Sequence, residues 1–121
     1  VADYRPTVTA DHKIKKSTEE IHLTLVKNPD IIAAVASHAN RPFTVGFAAE
    51  TQDVIQYAQA KLKNKNLDMI ATNDVSGSDV GFNSDNNALT VIWPGGHKVL
   101  PLASKAQIAK QLIELIALRQ S

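Results

Sequence analysis

Three ammonium groups stand close together early in the chain, in Lys13-Ile14-Lys15-Lys16, within a polar stretch that has no helical or strand period. On a loop they could close over a triphosphate, each acting as a point charge on phosphate oxygens. Spacing alone favours a solvated basic turn. Lys61 and Lys65 lie four apart on one helix face, a second place where phosphates could be met, although such pairs more often form an ordinary solvated face. Phe47, in Gly46-Phe47-Ala48-Ala49, could stack on a base, while core packing is the commoner role of a lone Phe. Asn28-Pro29-Asp30-Ile31 opens a helix after a strand, where free N–H groups suit anions or base carbonyls. The bland alternative there is a capped helix, and an acid at Asp30 in the first turn favours it. Asn73-Asp74 and Gly81-Phe82-Asn83-Ser84-Asp85-Asn86-Asn87 dominate a long loop. Their amide and carboxylate groups could grip a polar ligand or simply make Asx-turns.

Other chemistries lack residues to carry them. No cysteine is present among the 121 residues, which excludes disulfides, Cys-ligated zinc and a Cys nucleophile, and is compatible with a reducing compartment. The four histidines are scattered without metal-ligand spacing, and surface or core roles suit them better. Neither standard Gly-rich phosphate loop occurs. The net charge of +1 gives no global reason to expect nucleic acid or an anionic membrane as partner. No apolar run approaches the roughly 20 residues of a membrane helix. The chain opens on Val1-Ala2-Asp3 with no signal-peptide pattern, and without an initiator Met it is expected to start inside a longer protein.

The elements that must position these residues follow from periodicity. Hydrophobic residues make up 44% and charged ones 21%, the composition of one small globular domain. Residues 4–20 are polar and irregular. Ile21 to Val26 alternates like a strand. Asn28 as N-cap and Pro29 at the first position predict a helix from Asp30 to about His38. Pro42 to Ala49 reads as a buried strand, and Thr51 as the cap of a helix from Gln52 to Lys63 with Val54, Ile55, Ala58 and Leu62 as its apolar stripe. Leu67 to Thr72 is the next strand. Ala88 to Trp93 and Lys98 to Leu102 flank Pro94-Gly95-Gly96-His97, a hairpin signal. Ser104 caps a last helix to about Leu118, lined by Ile108, Leu112, Leu115 and Ile116. The alternation predicts an α/β fold, a mostly parallel sheet with flanking helices, whose ligands bind beyond the strands' C-terminal ends. The sheet reads as incomplete, with strands expected upstream.

Several motifs then occur together in order: Val1-Ala2-Asp3-Tyr4-Arg5-Pro6, Lys13-Ile14-Lys15-Lys16, Val26-Lys27-Asn28-Pro29-Asp30-Ile31, Val45-Gly46-Phe47-Ala48-Ala49-Glu50-Thr51, Asn73-Asp74-Val75 and Gly81 to Asn87. The set, which spans essentially the whole chain, resembles the phosphopantothenate–cysteine ligase family, usually the C-terminal half of a bifunctional flavoprotein. The resemblance implies a Rossmann-like α/β domain that forms a homodimer and acts in the cytoplasm in coenzyme A biosynthesis. It implies activation of 4′-phosphopantothenate by CTP, then amide formation with cysteine, with Mg2+ accompanying the triphosphate. It places CTP against Asp3, Lys13, Pro29, Asp30, Ile31, Ile32, Phe47, Lys61 and Lys65, with Lys13 as the catalytic lysine of a flap. The family's upstream section, with its first strand, Gly-rich turn and the Arg and Asn that hold phosphopantothenate, has no counterpart here. Nor does the decarboxylase domain with its FMN. This stretch alone is therefore expected to be inactive. Two other classes stand beside the ligase: a non-catalytic nucleotide-binding or dimerisation fragment of that enzyme, and a small α/β anion-binding interaction module.

Overall fold

A computed structural model describes residues 2–74 and 85–121. The chain divides into two compact units, residues 1–31 and 32–121.

The first unit is a clip and an arm. β1 (Tyr4–Pro6) pairs antiparallel with β2 (Leu25–Lys27), Arg5 opposite Val26. Thr7 closes the clip, its N–H and Oγ1 both donating to the Thr24 carbonyl at 3.0 and 2.9 Å. Between these ends, residues 7–24 form neither helix nor strand and are exposed throughout. Two expectations change here. The strand expected over Ile21–Val26 shrinks to three residues, because β1 offers only three residues to pair with. It also joins β1 and not the main sheet.

α1 (Ile31–Ala36) starts one residue later and ends two residues earlier than expected. Asn28 does not cap it. Its Oδ1 accepts from Arg5 at 3.1 Å and its Nδ2 donates to the Ala2 carbonyl at 2.9 Å, so the amide is used to fasten the clip.

The second unit carries a four-stranded sheet in the order β3 (Val45–Glu50), β4 (Met69–Asp74), β5 (Asn86–Trp93), β6 (Gly96–Ser104). β3 and β4 are parallel, joined through α2 (Val54–Asn64), and the later pairs are antiparallel. The parallel pair is thus the βαβ core, and the hairpin extends it. Pro94-Gly95 makes the turn between Trp93 and Gly96; Gly95 sits at φ 93°, a conformation that costs a residue without Cβ little.

Each sheet face has its own apolar layer. On one side, Met69, Ala71, Leu89, Val91 and Leu100 pack with Ile108, Leu112 and Leu115 of α3 (Lys105–Gln120). On the other, Ala48, Ile70 and Ile92 pack with Ala58 and Leu62 of α2. α3 follows its sequence signals: Ser104 Oγ accepts from the Gln107 N–H at 3.2 Å, and Gln107 returns the bond in a capping box. α2 does not. It begins at Val54, two residues after the expected start, with Asp53 as N-cap at φ 47°, ψ 44° and no side-chain cap bond. β3 runs on to Glu50, so Thr51 and Gln52 are consumed in the bend that reverses the chain.

Candidate functional site

Parallel strands deliver ligand-binding groups at their C-terminal ends. Here those ends are Glu50 on β3 and Asp74 on β4, which lie opposite each other in the register. Alternation along β3 fixes what each side chain faces. A Cβ built at Gly46 would stand 2.7 Å from Leu67 Cδ1 and 3.8 Å from Ile70 Cγ1, so Gly46 is pressed against the α2-side layer. Ala48 belongs to that layer as well. Glu50, two residues further, turns to the same side and its Oε1 accepts from Lys61 Nζ of α2 at 2.7 Å. The carboxylate side chain is only 15% exposed, the lysine 43%. Lys65, one turn on, is half-buried at the C-cap of α2, where its N–H donates to the Lys61 carbonyl at 3.0 Å.

Phe47 falls on the opposite parity. It is 70% exposed and points to the sheet face that α2 does not cover. Lys61 and Phe47 therefore lie on opposite faces of β3. Ile32 packs on the α2-side layer as a partly buried core residue.

In the first unit, the Asp3 carbonyl accepts from the Asn28 N–H at 2.8 Å. Asp3 is thus fastened beside the Pro29-Asp30-Ile31 turn, all of it exposed. Arg5 spans the clip through the Lys27 carbonyl and Asn28 Oδ1, both at 3.1 Å. Lys13, Lys15 and Lys16 lie exposed on the arm. Of the nine sequence-predicted residues, Asp3 lies beside Pro29, Asp30 and Ile31 in the first unit, with Lys13 apart on the arm; in the second unit Lys61 stands at Glu50, Lys65 lies one turn on at the C-terminal end of α2, Ile32 packs in the core and Phe47 lies on the other sheet face.

Elsewhere on the molecule, a shallow pocket of about 430 Å³ is lined by Gln59, Leu62, Ile92, Trp93 and the hairpin turn with His97. It contains none of the nine predicted residues. It also lies toward the N-terminal end of β4, since Ile92 pairs with Ile70, away from the ends where parallel strands present ligand groups. The loop residues Val75 to Ser84, including Gly81, Phe82 and Asn83, lie outside the described residues. At its margins Asn87 Nδ2 donates to Asn73 Oδ1 at 3.4 Å. All four histidines are exposed. Among the described residues no group of three or more His, Cys, Asp or Glu side chains is placed to hold a metal, and no helix is long and apolar enough to cross a membrane.

Comparison with known proteins decides the family. Residues 1–119 match the DNA/pantothenate metabolism flavoprotein C-terminal domain. The chain belongs to this family. Among curated relatives, the coenzyme A biosynthesis bifunctional protein CoaBC of Vibrio cholerae is 59% identical over 119 residues, covering 96% of this chain and 30% of the relative. The protein of the same name from Escherichia coli is 50% identical over 123 residues, covering 98% of this chain and 30% of that protein. The chain thus spans about 30% of the length of the relatives it matches. A crystal structure of the C-terminal domain of a CoaBC protein superposes with TM-score 0.68 at 30% identity, over 96% of this chain and 48% of that one. The Streptococcus pneumoniae DNA/pantothenate metabolism flavoprotein gives 0.72 at 24% identity over 100% and 58%, which supports the α/β fold.

The sequence reading of this family member missed Glu50. It was visible within Gly46-Phe47-Ala48-Ala49-Glu50-Thr51, but nothing local marks an acid at a strand end as the partner of a lysine eleven residues later. Arg5 and the Thr7–Thr24 closure were likewise hidden, because their partners lie 17 to 23 residues away.

Proposed function

We propose that this chain is the C-terminal portion of the CTP-dependent ligase domain of a coenzyme A biosynthetic enzyme, a phosphopantothenate–cysteine ligase. The reading rests on its match over 96% of its length, at 59% identity, to a protein named for coenzyme A biosynthesis. In this reading a carboxylate oxygen of 4′-phosphopantothenate attacks the α-phosphorus of CTP. The bond to pyrophosphate breaks, and an acyl-cytidylate forms. The amine of cysteine then attacks the acyl carbon, CMP leaves, and the amine gives up a proton as the amide forms.

The ordered motifs that span the chain support the following division of labour. In this reading Lys61, held at the end of β3 by Glu50, and Lys65 meet phosphate oxygens. Lys13, on an arm with no fixed secondary structure, closes on the nucleotide and neutralises the charge that moves onto pyrophosphate. Asp3 and the Pro29–Ile32 turn, with Phe47, contact the nucleoside portion. Mg2+ would accompany the triphosphate and would supply positive charge against its phosphate oxygens. FMN belongs to the decarboxylase portion of such an enzyme. The ligase acts as a homodimer in the cytoplasm.

A second reading is favoured by one fact, the 30% share of the relatives that the chain covers. In it, the 121 residues alone bind nucleotide or dimerise without turnover. Titration calorimetry on the intact enzyme tests the main reading. CTP should bind more tightly than ATP, and equal affinity for the two would refute the assignment. Ligase turnover by the 121-residue chain alone would refute the second.

A further inference from the structure

We propose that Glu50 is the positioning residue for Lys61. The inference rests on the reading of Lys61 as a phosphate-binding lysine. A lysine on a helix surface swings on four rotatable bonds, and fixing it costs most of its rotamer freedom. Glu50 removes that freedom before any ligand arrives. Its side chain is largely buried at the end of β3, and its Oε1 holds Lys61 Nζ at 2.7 Å. The contact joins the strand end to the helix that follows it. It differs in kind from the i,i+4 pair Lys110–Glu114, which is 4.0 Å apart with side chains 80% and 64% exposed.

An ammonium has three donors. Glu50 takes one, and among the described residues no other group meets Lys61 Nζ, so two donors remain for phosphate oxygens at the more exposed side of the pair. Glu50 cannot itself bind phosphate, since its carboxylate repels an anion. Its effect on a nucleotide therefore has two parts of opposite sign. With Lys61 present, the carboxylate helps by aiming the cation that stands between it and the phosphates. With Lys61 removed, only the repulsion is left. This sign reversal is what a merely structural glutamate would not produce.

The test is CTP affinity by titration calorimetry on the intact enzyme, in four forms: wild type, Glu50→Ala, Lys61→Ala and the double variant. Lys61→Ala is expected to weaken binding by about a hundredfold, as for loss of a charge-assisted contact that also leaves a like charge behind. Glu50→Ala is expected to weaken it by about tenfold, the cost of re-ordering a free lysine side chain. In the Lys61→Ala background the same change should tighten binding. Glu50→Gln keeps an acceptor oxygen and the side chain's shape, and serves if the alanine variant fails to fold; it should lose less than threefold. Equal weakening by Glu50→Ala in both backgrounds would make Glu50 structural and overturn the proposal. So would tighter binding by Glu50→Ala with Lys61 in place, which would make the carboxylate a plain counter-charge. If Lys61→Ala left CTP affinity unchanged, the phosphate reading of Lys61 would fall first, and the role of Glu50 with it.

Discussion

Removing the Asp68 carboxylate should loosen the parallel pair β3–β4 from its N-terminal end. Asp68 Oδ2 accepts from the Arg41 guanidinium and from the Thr44 N–H, the latter at 2.7 Å. Arg41 also donates to the Ala36 carbonyl at 3.2 Å and to the Asn66 carbonyl. One carboxylate and one guanidinium thus tie together the end of α1, the start of β3 and the turn into β4. In Asp68→Ala, the Thr44 N–H loses its acceptor in a residue only 6% exposed, which costs about 2 kcal/mol. The ion pair adds about 1 kcal/mol after solvent screening, because its side chains are 21% and 30% exposed. A total near 3 kcal/mol, against an unfolding entropy of about 2.1 cal/mol/K per residue, lowers Tm by about 12 °C for a chain of 121 residues. Asp68→Asn keeps one acceptor oxygen and should lose about 1 kcal/mol, or about 4 °C. Thermal unfolding followed by circular dichroism measures both. The node lies at the opposite end of β3 from Glu50, so CTP affinity well below the midpoint should not change. A fall under 4 °C for Asp68→Ala would refute the argument, because it would mean that water satisfies Thr44 and Arg41 as well as the carboxylate does.

Lys13→Gln in the intact enzyme should lower kcat by about a hundredfold with a modest change in the KM for CTP, the pattern of an interaction made mainly in the transition state. Quench-flow measurement of the acyl-cytidylate locates the step, and wild-type turnover would reduce the arm to a solvated basic turn. Thr72→Val should raise stability by about 1 kcal/mol. Thr72 is 1% exposed and its Oγ1 has no hydrogen-bond partner among the described residues, so a methyl in its place removes an unmet polar group. A drop in the urea midpoint would show that the hydroxyl is bonded after all.

What could be read from the sequence was what depends on near neighbours. The α3 cap needs only Ser104 and Gln107, three residues apart, and the stripe of Ile108, Leu112 and Leu115 is set by the helical period alone. The β5–β6 hairpin follows from Pro94-Gly95 between two apolar runs. The start of α2 was misplaced because Thr51 is a good local cap, whereas the end of β3 is set by pairing with β4 as far as Asp74. Asn28 went wrong for the same reason: its amide had two claimants, the helix ahead and the clip behind. The clip won through Arg5 and Ala2, residues 23 and 26 positions away.

The site was legible as residue types and not as an arrangement. Alternation along β3 separates Phe47 from Glu50 by parity, but it cannot say which face a helix will cover. That is settled by Gly46, whose missing side chain lets Leu67 approach and brings the α2 layer down on its own side. Glu50 is thereby turned toward Lys61, and Phe47 is left on the other face. A β-branched residue at position 46 would force the end of the buried Leu67 side chain to move, since an added Cβ would stand 2.7 Å from its Cδ1.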